Sequence, residues 1–139
     1  MPSLEVISLA VADVDRAIAF YRDRAGFHLD VDYHPTPSFR VVQLTPAGSA
    51  CSIHLVASET PAPVRNLYLV TDDIAAERAQ LLARGVAVGE CRHKHPLATW
   101  SGDWAAGLDP ERRDYATFAD FTDPDGNRWT LQERGFRQP

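Results

Sequence analysis

No apolar run in this 139-residue chain approaches the roughly 18 residues that cross a bilayer, which excludes a helical membrane span. Basic clusters are missing as well. Lys and Arg number 14 against 19 Asp and Glu, for a net charge of −5, and no Lys/Arg run is long enough to follow a phosphate backbone. Nucleic acid is therefore not an expected partner, whereas an acidic surface favours cationic ligands. Cysteine is scarce: Cys51 and Cys91 form no CxxC unit and read as free thiols of a reducing compartment. Residues 1–5 carry neither the basic stretch nor the apolar segment of a secretory signal, and the expected location is the cytoplasm. What the chain does have is a 45% apolar fraction, which suits a globular interior and argues against disorder. Its length fits one compact domain or two small modules sharing a core.

Residues 4–11 alternate as a strand, with Ile7, Leu9 and Val11 on one face and Val6, Ser8 and Ala10 on the other. Asp13 is placed to cap a helix whose Val14, Ala17, Ile18 and Tyr21 recur at helical spacing, and Gly26 closes it. Three more strands follow at 27–33, 39–44 and 52–56, separated by turns containing Pro35, Pro37 and the segment 46–49. The pattern then restarts after a linker-like stretch, 58–63. A strand at 66–71, the cap Asp73, a helix over 74–84 ended by Gly85 and a strand beginning at 86–88 repeat the first order, with Asp13-Val14 recurring as Asp73-Ile74.

The second module closes on the chain's clearest local signal. Two strand-like runs, 116–122 and 127–133, flank Asp123-Pro124-Asp125-Gly126. Proline pre-sets the turn, glycine takes positive φ and the aspartates can bond nearby backbone, so the segment reads as a hairpin. Between helix and hairpin lies a long irregular piece, 91–114, with His93, His95, Trp100 and Trp104. Loops of that length in compact domains are often functional lids, and the alternative is a surface loop pinned by its tryptophans.

This arrangement resembles the vicinal oxygen chelate superfamily, which includes glyoxalase I, extradiol dioxygenases, fosfomycin-resistance transferases and bleomycin-resistance proteins. Three segments carry the match: 11–21 with the exit Ala25-Gly26-Phe27, the helix 72–85, and 121–133. The resemblance implies an α+β fold in which two βαβββ modules form an open, barrel-like mixed sheet around a cavity. It implies one domain, 1–139, with module one at about 4–57 and module two at about 65–134. It also implies a homodimer, because members often build each cavity from modules of paired or swapped chains.

Enzymatic members hold a divalent metal with His and Glu side chains from four strands, and two substrate oxygens fill its open positions. Carried onto this chain, the resemblance places those four positions at Val6, His54, Asn66 and Thr130. Only His54 is a good donor. Zn²⁺, Fe²⁺ and Mn²⁺ sites ordinarily need about three protein ligands, so no metal cofactor is expected.

Alternation places Val6, Ser8, Ala10, Ser52 and His54 on the inner surface of the first module. Asn66, Tyr68, Arg128, Thr130 and Gln132 fall on that of the second. Apolar walls with a few polar handles are the usual chemistry of a small-molecule site. Trp100, Trp104 and Tyr115 either cover an aromatic or polycyclic ligand by stacking, or pack the loop onto the barrel. His54 is the candidate catalytic or ligand-binding group, imidazole being suited to proton transfer near neutral pH, and a hydrogen-bonded structural histidine is the alternative. His93 and His95 read as solvated loop residues more readily than as metal ligands.

The leading expectation is a metal-independent protein that binds and sequesters a small organic molecule, aromatic or antibiotic, as in the bleomycin-resistance branch. The alternative is a glyoxalase-, isomerase- or dioxygenase-type enzyme with a displaced metal site or acid–base chemistry centred on His54. A third is a regulatory or structural module with a vestigial cavity.

Overall fold

The computed structural model describes residues 1–95 and 103–138. The fold is α+β, with one four-stranded and one five-stranded mixed sheet. The chain divides into two compact units, Met1–Val64 with Asp123–Asn127, and Arg65–Thr122 with Arg128–Pro139. Among the described residues no helix is long and apolar enough to cross a membrane.

The first unit runs β1 (Val6–Val11), α1 (Val14–Ile18), a π-helical segment (Ala19–Arg24), β2 (His28–Thr36), β3 (Phe39–Thr45) and β4 (Ser52–Ala57). Its sheet order is β1-β4-β3-β2, with β1 parallel to β4 and the other pairs antiparallel. The Asp13 carboxylate accepts from Arg16 N at 3.0 Å, which caps the helix as its sequence position implies. The single long helix expected to Gly26 changes form at Ala19. A π turn carries more residues per turn than an α turn. Here it lets the adjacent Phe20 and Tyr21 both face the interior, their rings edge-on at 5.1 Å. Leu9, Val11, Val42, Leu44, Ile53 and Leu55 supply the sheet side of that core.

Residues 123–127 complete this unit through side chains, and Asp123 is the centre of the set. Its Oδ1 accepts from the backbone N of Asp125 and Asn127, both at 2.9 Å. Its Oδ2 accepts from Asn127 Nδ2 at 2.8 Å and from the buried Tyr21 hydroxyl at 2.6 Å. Asp125 accepts from Ala12 N at 2.9 Å, and Asn127 accepts from Val64 N at 2.9 Å. Gly126 takes φ +85°, which an L side chain rarely adopts, so the turn sequence is fixed by backbone geometry as well as by hydrogen bonds.

The second unit runs β5 (Leu67–Thr71), α2 (Ile74–Ala83), β6 (Arg92–His95), β7 (Asp103–Ala106), β8 (Thr117–Thr122) and β9 (Arg128–Glu133). Its order is β5-β9-β8-β6-β7, with β5 and β9 parallel, so it carries one strand more than the first unit. Two expectations are corrected here. Residues 86–88 form no strand: Gly85 at φ +88° turns the chain, Val86 N bonds back to Leu81 O at 3.0 Å, and Val86 and Val88 are simply buried. The segment 91–114, expected to be irregular, supplies β6 and β7, paired antiparallel from Arg92↔Ala106 to His95↔Asp103.

Two buried carboxylates organise the second unit. Glu133 is fully buried and accepts from Ile74 N at 2.9 Å at the start of α2, from Arg112 Nε at 2.7 Å and from a terminal guanidinium nitrogen at 2.6 Å. Asp109 accepts from Arg113 Nε at 2.9 Å, from its terminal nitrogen at 3.0 Å and from its backbone N at 2.9 Å. The Arg113 guanidinium, outweighing burial, holds the Asp109 carboxyl down at about 2. A depressed folded value contributes stability above the unfolded value of about 4, and that contribution disappears as pH falls through about 2. Urea midpoints measured from pH 5 to pH 2 are therefore expected to fall for the native chain, with a shallower fall in Asp109→Asn. Parallel curves for the two proteins would show that Asp109 does not drive acid unfolding.

Candidate functional site

Each unit has one face covered by its helical segment. The opposite, open face is part-exposed in the first unit, whereas in the second it includes the buried Lys94, Phe118, Thr130 and Gln132 beside the exposed Tyr68 and Trp104. Register settles which residues share the open faces, because paired positions on adjacent strands point the same way. In the first unit Val6 pairs with Ser52, Ser8 with His54, and His54 in turn with Gln43. Val6, Ser8, Ala10, Ser52 and His54 are thus together on one face, opposite buried Leu9 and Val11. Among the described residues His54 makes no hydrogen bond, so its ring nitrogens are open to a ligand on this face.

Next to His54 runs a chain of polar contacts. Ser52 Oγ lies 2.7 Å from Thr45 Oγ1, and the Thr45 hydroxyl donates to Asp30 Oδ2. Asp30 Oδ1 sits 2.8 Å from His28 Nδ1. The Thr45 hydroxyl and then His28 hold the Asp30 carboxyl below the usual carboxylate range. At the far edge Tyr33 and Phe39 stand exposed, with rings edge-on at 6.2 Å.

The open face of the second unit is aromatic and cationic. Tyr68 pairs with Thr130, Thr130 with Asp120, and Gln132 with Phe118. Phe118 then pairs with Arg92, and Lys94 with Trp104. Arg92 is bound to Asp120 at 3.0 Å, and Asp120 also accepts the Thr130 hydroxyl at 2.8 Å. The Arg92 guanidinium lies 4.6 Å from the Trp104 ring centre and 5.8 Å from that of Phe118, while Lys94 Nζ lies 4.2 Å from Trp104. Trp104 and Phe118 meet edge-on at 5.2 Å. Cations over aromatic faces at these separations attract through the ring quadrupole. The arrangement is a preorganised aromatic cluster, its two rings at right angles and a guanidinium set against both.

The four positions that the resemblance assigned to a metal suit one poorly. Val6 has no donor atom, and the Thr130 hydroxyl is committed to Asp120. Asn66, just ahead of β5, offers an amide oxygen, leaving His54 as the one strong donor. Among the described residues no three His, Cys, Asp or Glu side chains converge as an ion would require.

Other expected residues occupy places of a different kind. Trp104 stands on strand β7 rather than on a lid, and Trp100 lies outside the described residues. Tyr115 sits at φ +64° at the end of the second sheet, its hydroxyl accepting from Arg134 at 3.2 Å and its carbonyl from Gln132 Nε2 at 3.4 Å. Arg128 is exposed on the open face. His93, expected to be solvated, is buried, its Nδ1 bonded to Gly107 O at 2.9 Å. Both cysteines are free and half-buried, and burial pushes the Cys91 thiol up.

Sequence reasoning missed Arg92, Phe118 and Asp120. For two of them a signal existed: a hairpin folded at 123–126 sets Asp120 against Thr130 and Phe118 against Gln132. Arg92 required β6 to be recognised as a strand.

Comparison with known proteins agrees with this architecture. The family model described as the Glyoxalase/Bleomycin resistance protein/Dioxygenase superfamily matches residues 3–131. Among solved structures, TnmS3, an antibiotic binding protein from Streptomyces sp. CB03234, is 32% identical, covers 96% of each chain and superposes with a TM-score of 0.68. A glyoxalase/bleomycin resistance protein from the same Streptomyces strain is also 32% identical, over 94% of this chain and 99% of that one, with a TM-score of 0.66. A superfamily member from Sphaerobacter thermophilus DSM 20745, 24% identical over 96% and 98% of the two chains, has the same fold at a TM-score of 0.70. No curated protein matches the sequence. The chain belongs to the glyoxalase/bleomycin resistance protein/dioxygenase superfamily.

Proposed function

We propose that this protein binds and sequesters a small aromatic molecule, of the antibiotic class, without a metal. One observation carries this: beside a set of family metal positions with one strong donor, the second unit presents the exposed Trp104 ring against a guanidinium pinned by Asp120, with Phe118 buried beneath them. An exposed indole face such as that of Trp104, beside fixed polar groups, favours planar ligands through stacking and orientation. The likeness to TnmS3, which is described as an antibiotic binding protein, supports the same ligand class. In this proposal the working unit is a homodimer and the compartment the cytoplasm.

The test is a thermal titration of chelator-stripped protein with Mn²⁺, Fe²⁺, Ni²⁺ and Zn²⁺, beside a panel of aromatic antibiotics. A ligand at a hundred times its dissociation constant raises stability by about 2.7 kcal/mol. The expected result is no shift with any ion and a saturable shift with at least one aromatic compound. A saturable metal shift that vanishes in His54→Ala would overturn the proposal.

A second reading rests on His54, whose ring makes no hydrogen bond among the described residues. A free imidazole beside Ser8 and Gln43 suits a general base once a substrate proton is within reach. Turnover of an α-hydroxy thioester or a catechol that is lost in His54→Ala, with binding retained, would favour the enzyme. Unchanged turnover in that variant would exclude His54 as its base.

A further inference from the structure

The polar chain on the first unit's open face has a direction, and it follows from donor and acceptor counting alone. An ionised carboxylate has no proton to give, so Asp30 only accepts. The Thr45 hydroxyl has one proton, and its contact with Asp30 Oδ2 uses it. The 2.7 Å contact between Thr45 Oγ1 and Ser52 Oγ then has one remaining proton available, that of Ser52. Ser52 must donate to Thr45. Among the described residues Ser52 Oγ has no other partner, so it turns only lone pairs towards the open face. The other end of the chain agrees: the 2.8 Å contact of His28 with Asp30 requires Nδ1 to carry a proton. The lowered Asp30 carboxyl value is consistent with an acceptor-only group here.

We infer that Ser52 is a specificity-determining acceptor, selecting ligands that bring a hydroxyl or N–H donor to the first unit and rejecting those that bring an ether or carbonyl oxygen. The inference rests on the small-molecule reading above and deepens it by naming the group the ligand must carry. Ordinary serines adapt, rotating their proton to suit either kind of partner. Ser52 cannot, because rotation would leave the 2.7 Å contact with Thr45 without a proton. Val6 is its register partner, and His54 lies two positions along the same strand face.

The experiment uses the full chain, isotopically labelled, at pH 7 with two matched probes, 2-naphthol and 2-methoxynaphthalene. They differ in whether the oxygen carries a proton. The expected result is that 2-naphthol shifts the backbone amides around Ser52 and binds about tenfold tighter than its ether, the scale set by an unpaired polar group. Thr45→Val, close in shape, frees the Ser52 proton and should bring the ratio to about one. Thr45→Ser keeps the chain and should keep the ratio.

Equal affinity in the native chain, or a ratio unchanged in Thr45→Val, overturns the inference. A readout without ligand makes it independent of affinity. The Ser52 hydroxyl proton should exchange slowly in the free protein and become fast in Thr45→Val; fast exchange in both overturns the assignment. If an aromatic antibiotic binds while neither probe disturbs Ser52, the inference falls and the small-molecule reading stands. If no compound binds at all, both fall.

Discussion

Replacing Arg112 by alanine is expected to destabilise the fold by about 3–5 kcal/mol, the range for removing one partner of a buried pair. Glu133 is fully buried at the end of β9 and shares its two oxygens between the Arg112 guanidinium and the first backbone N–H of α2. Without Arg112 the carboxylate retains one backbone donor. It must then stay charged in an apolar interior or take up a proton, and either course costs stability. Two further losses add to this. Arg112 stacks on Phe136 with its guanidinium carbon 3.6 Å from the ring centre, and it reaches Asp73, the α2 cap, at 3.5 Å. Arg112 itself sits at φ +50°, a conformation few residues other than glycine adopt without strain. The charge pair therefore holds both a helix start and an unusual backbone turn. Urea midpoints for Arg112→Ala and Arg112→Lys measure the effect. Lysine restores charge but lacks the two-pronged geometry, so partial recovery is expected. A loss below 1 kcal/mol in the alanine variant would show that water or a neighbour replaces the guanidinium.

Much of this fold was legible because its strands and helix starts follow ordinary rules. Leu9 and Val11 are buried while Ser8 before them is exposed and Ala10 between them is part-exposed, as period-two alternation requires. Asp13 and Asp73 both accept from the backbone N three residues on, as helix caps do. The turn at 123–126 shows its chemistry in its residue types, and the Asp123 carboxylate binds the backbone around it. Alternation also placed Ser52 with His54 on one strand face, and Thr130 with Gln132 on another, without knowledge of register.

Polarity misled at β6, where Arg92, His93, Lys94 and His95 look like solvated loop. They form a strand because each side of it finds a substitute for hydrophobic burial. On one side Arg92 and Lys94 lie over Trp104, and on the other His93 binds the Gly107 carbonyl. Such compensation depends on partners ten or more residues away, so no local pattern carries it. The π-helical segment is similar: only the packing of Phe20 and Tyr21 in one core accounts for it. The resemblance fixed the family and the strands that bear the site, but the Arg92 cluster comes from cross-strand register. Residues at a family's metal positions were easy to find. The cluster of Arg92, Trp104 and Phe118, which occupies none of those positions, needed the structure.

Affinity for an aromatic ligand identified from the antibiotic panel is expected to fall at least tenfold in Arg92→Ala, a threshold of about 1.4 kcal/mol. Arg92 does three things at once on the second unit's open face. It neutralises Asp120 at 3.0 Å, packs against the Phe118 ring at 5.8 Å, and holds Trp104 by a cation–aromatic contact at 4.6 Å. Its removal leaves Asp120 with the Thr130 hydroxyl but without its ion-pair partner, and lets the exposed Trp104 ring reorient. Arg92→Lys keeps the charge but loses the flat face and the two-nitrogen grip on Asp120, so it should recover less than half of the lost binding energy. Trp104→Ala should weaken the same ligand, and the double variant should lose less than the sum, because the two side chains act as one surface. Titrations by tryptophan fluorescence or calorimetry give all four affinities. Losses that add in the double variant would mean that Arg92 and Trp104 contact the ligand separately. An Arg92→Lys variant that binds like the native chain would reduce the role of Arg92 to its charge, and the stacked guanidinium would no longer explain the choice of ligand.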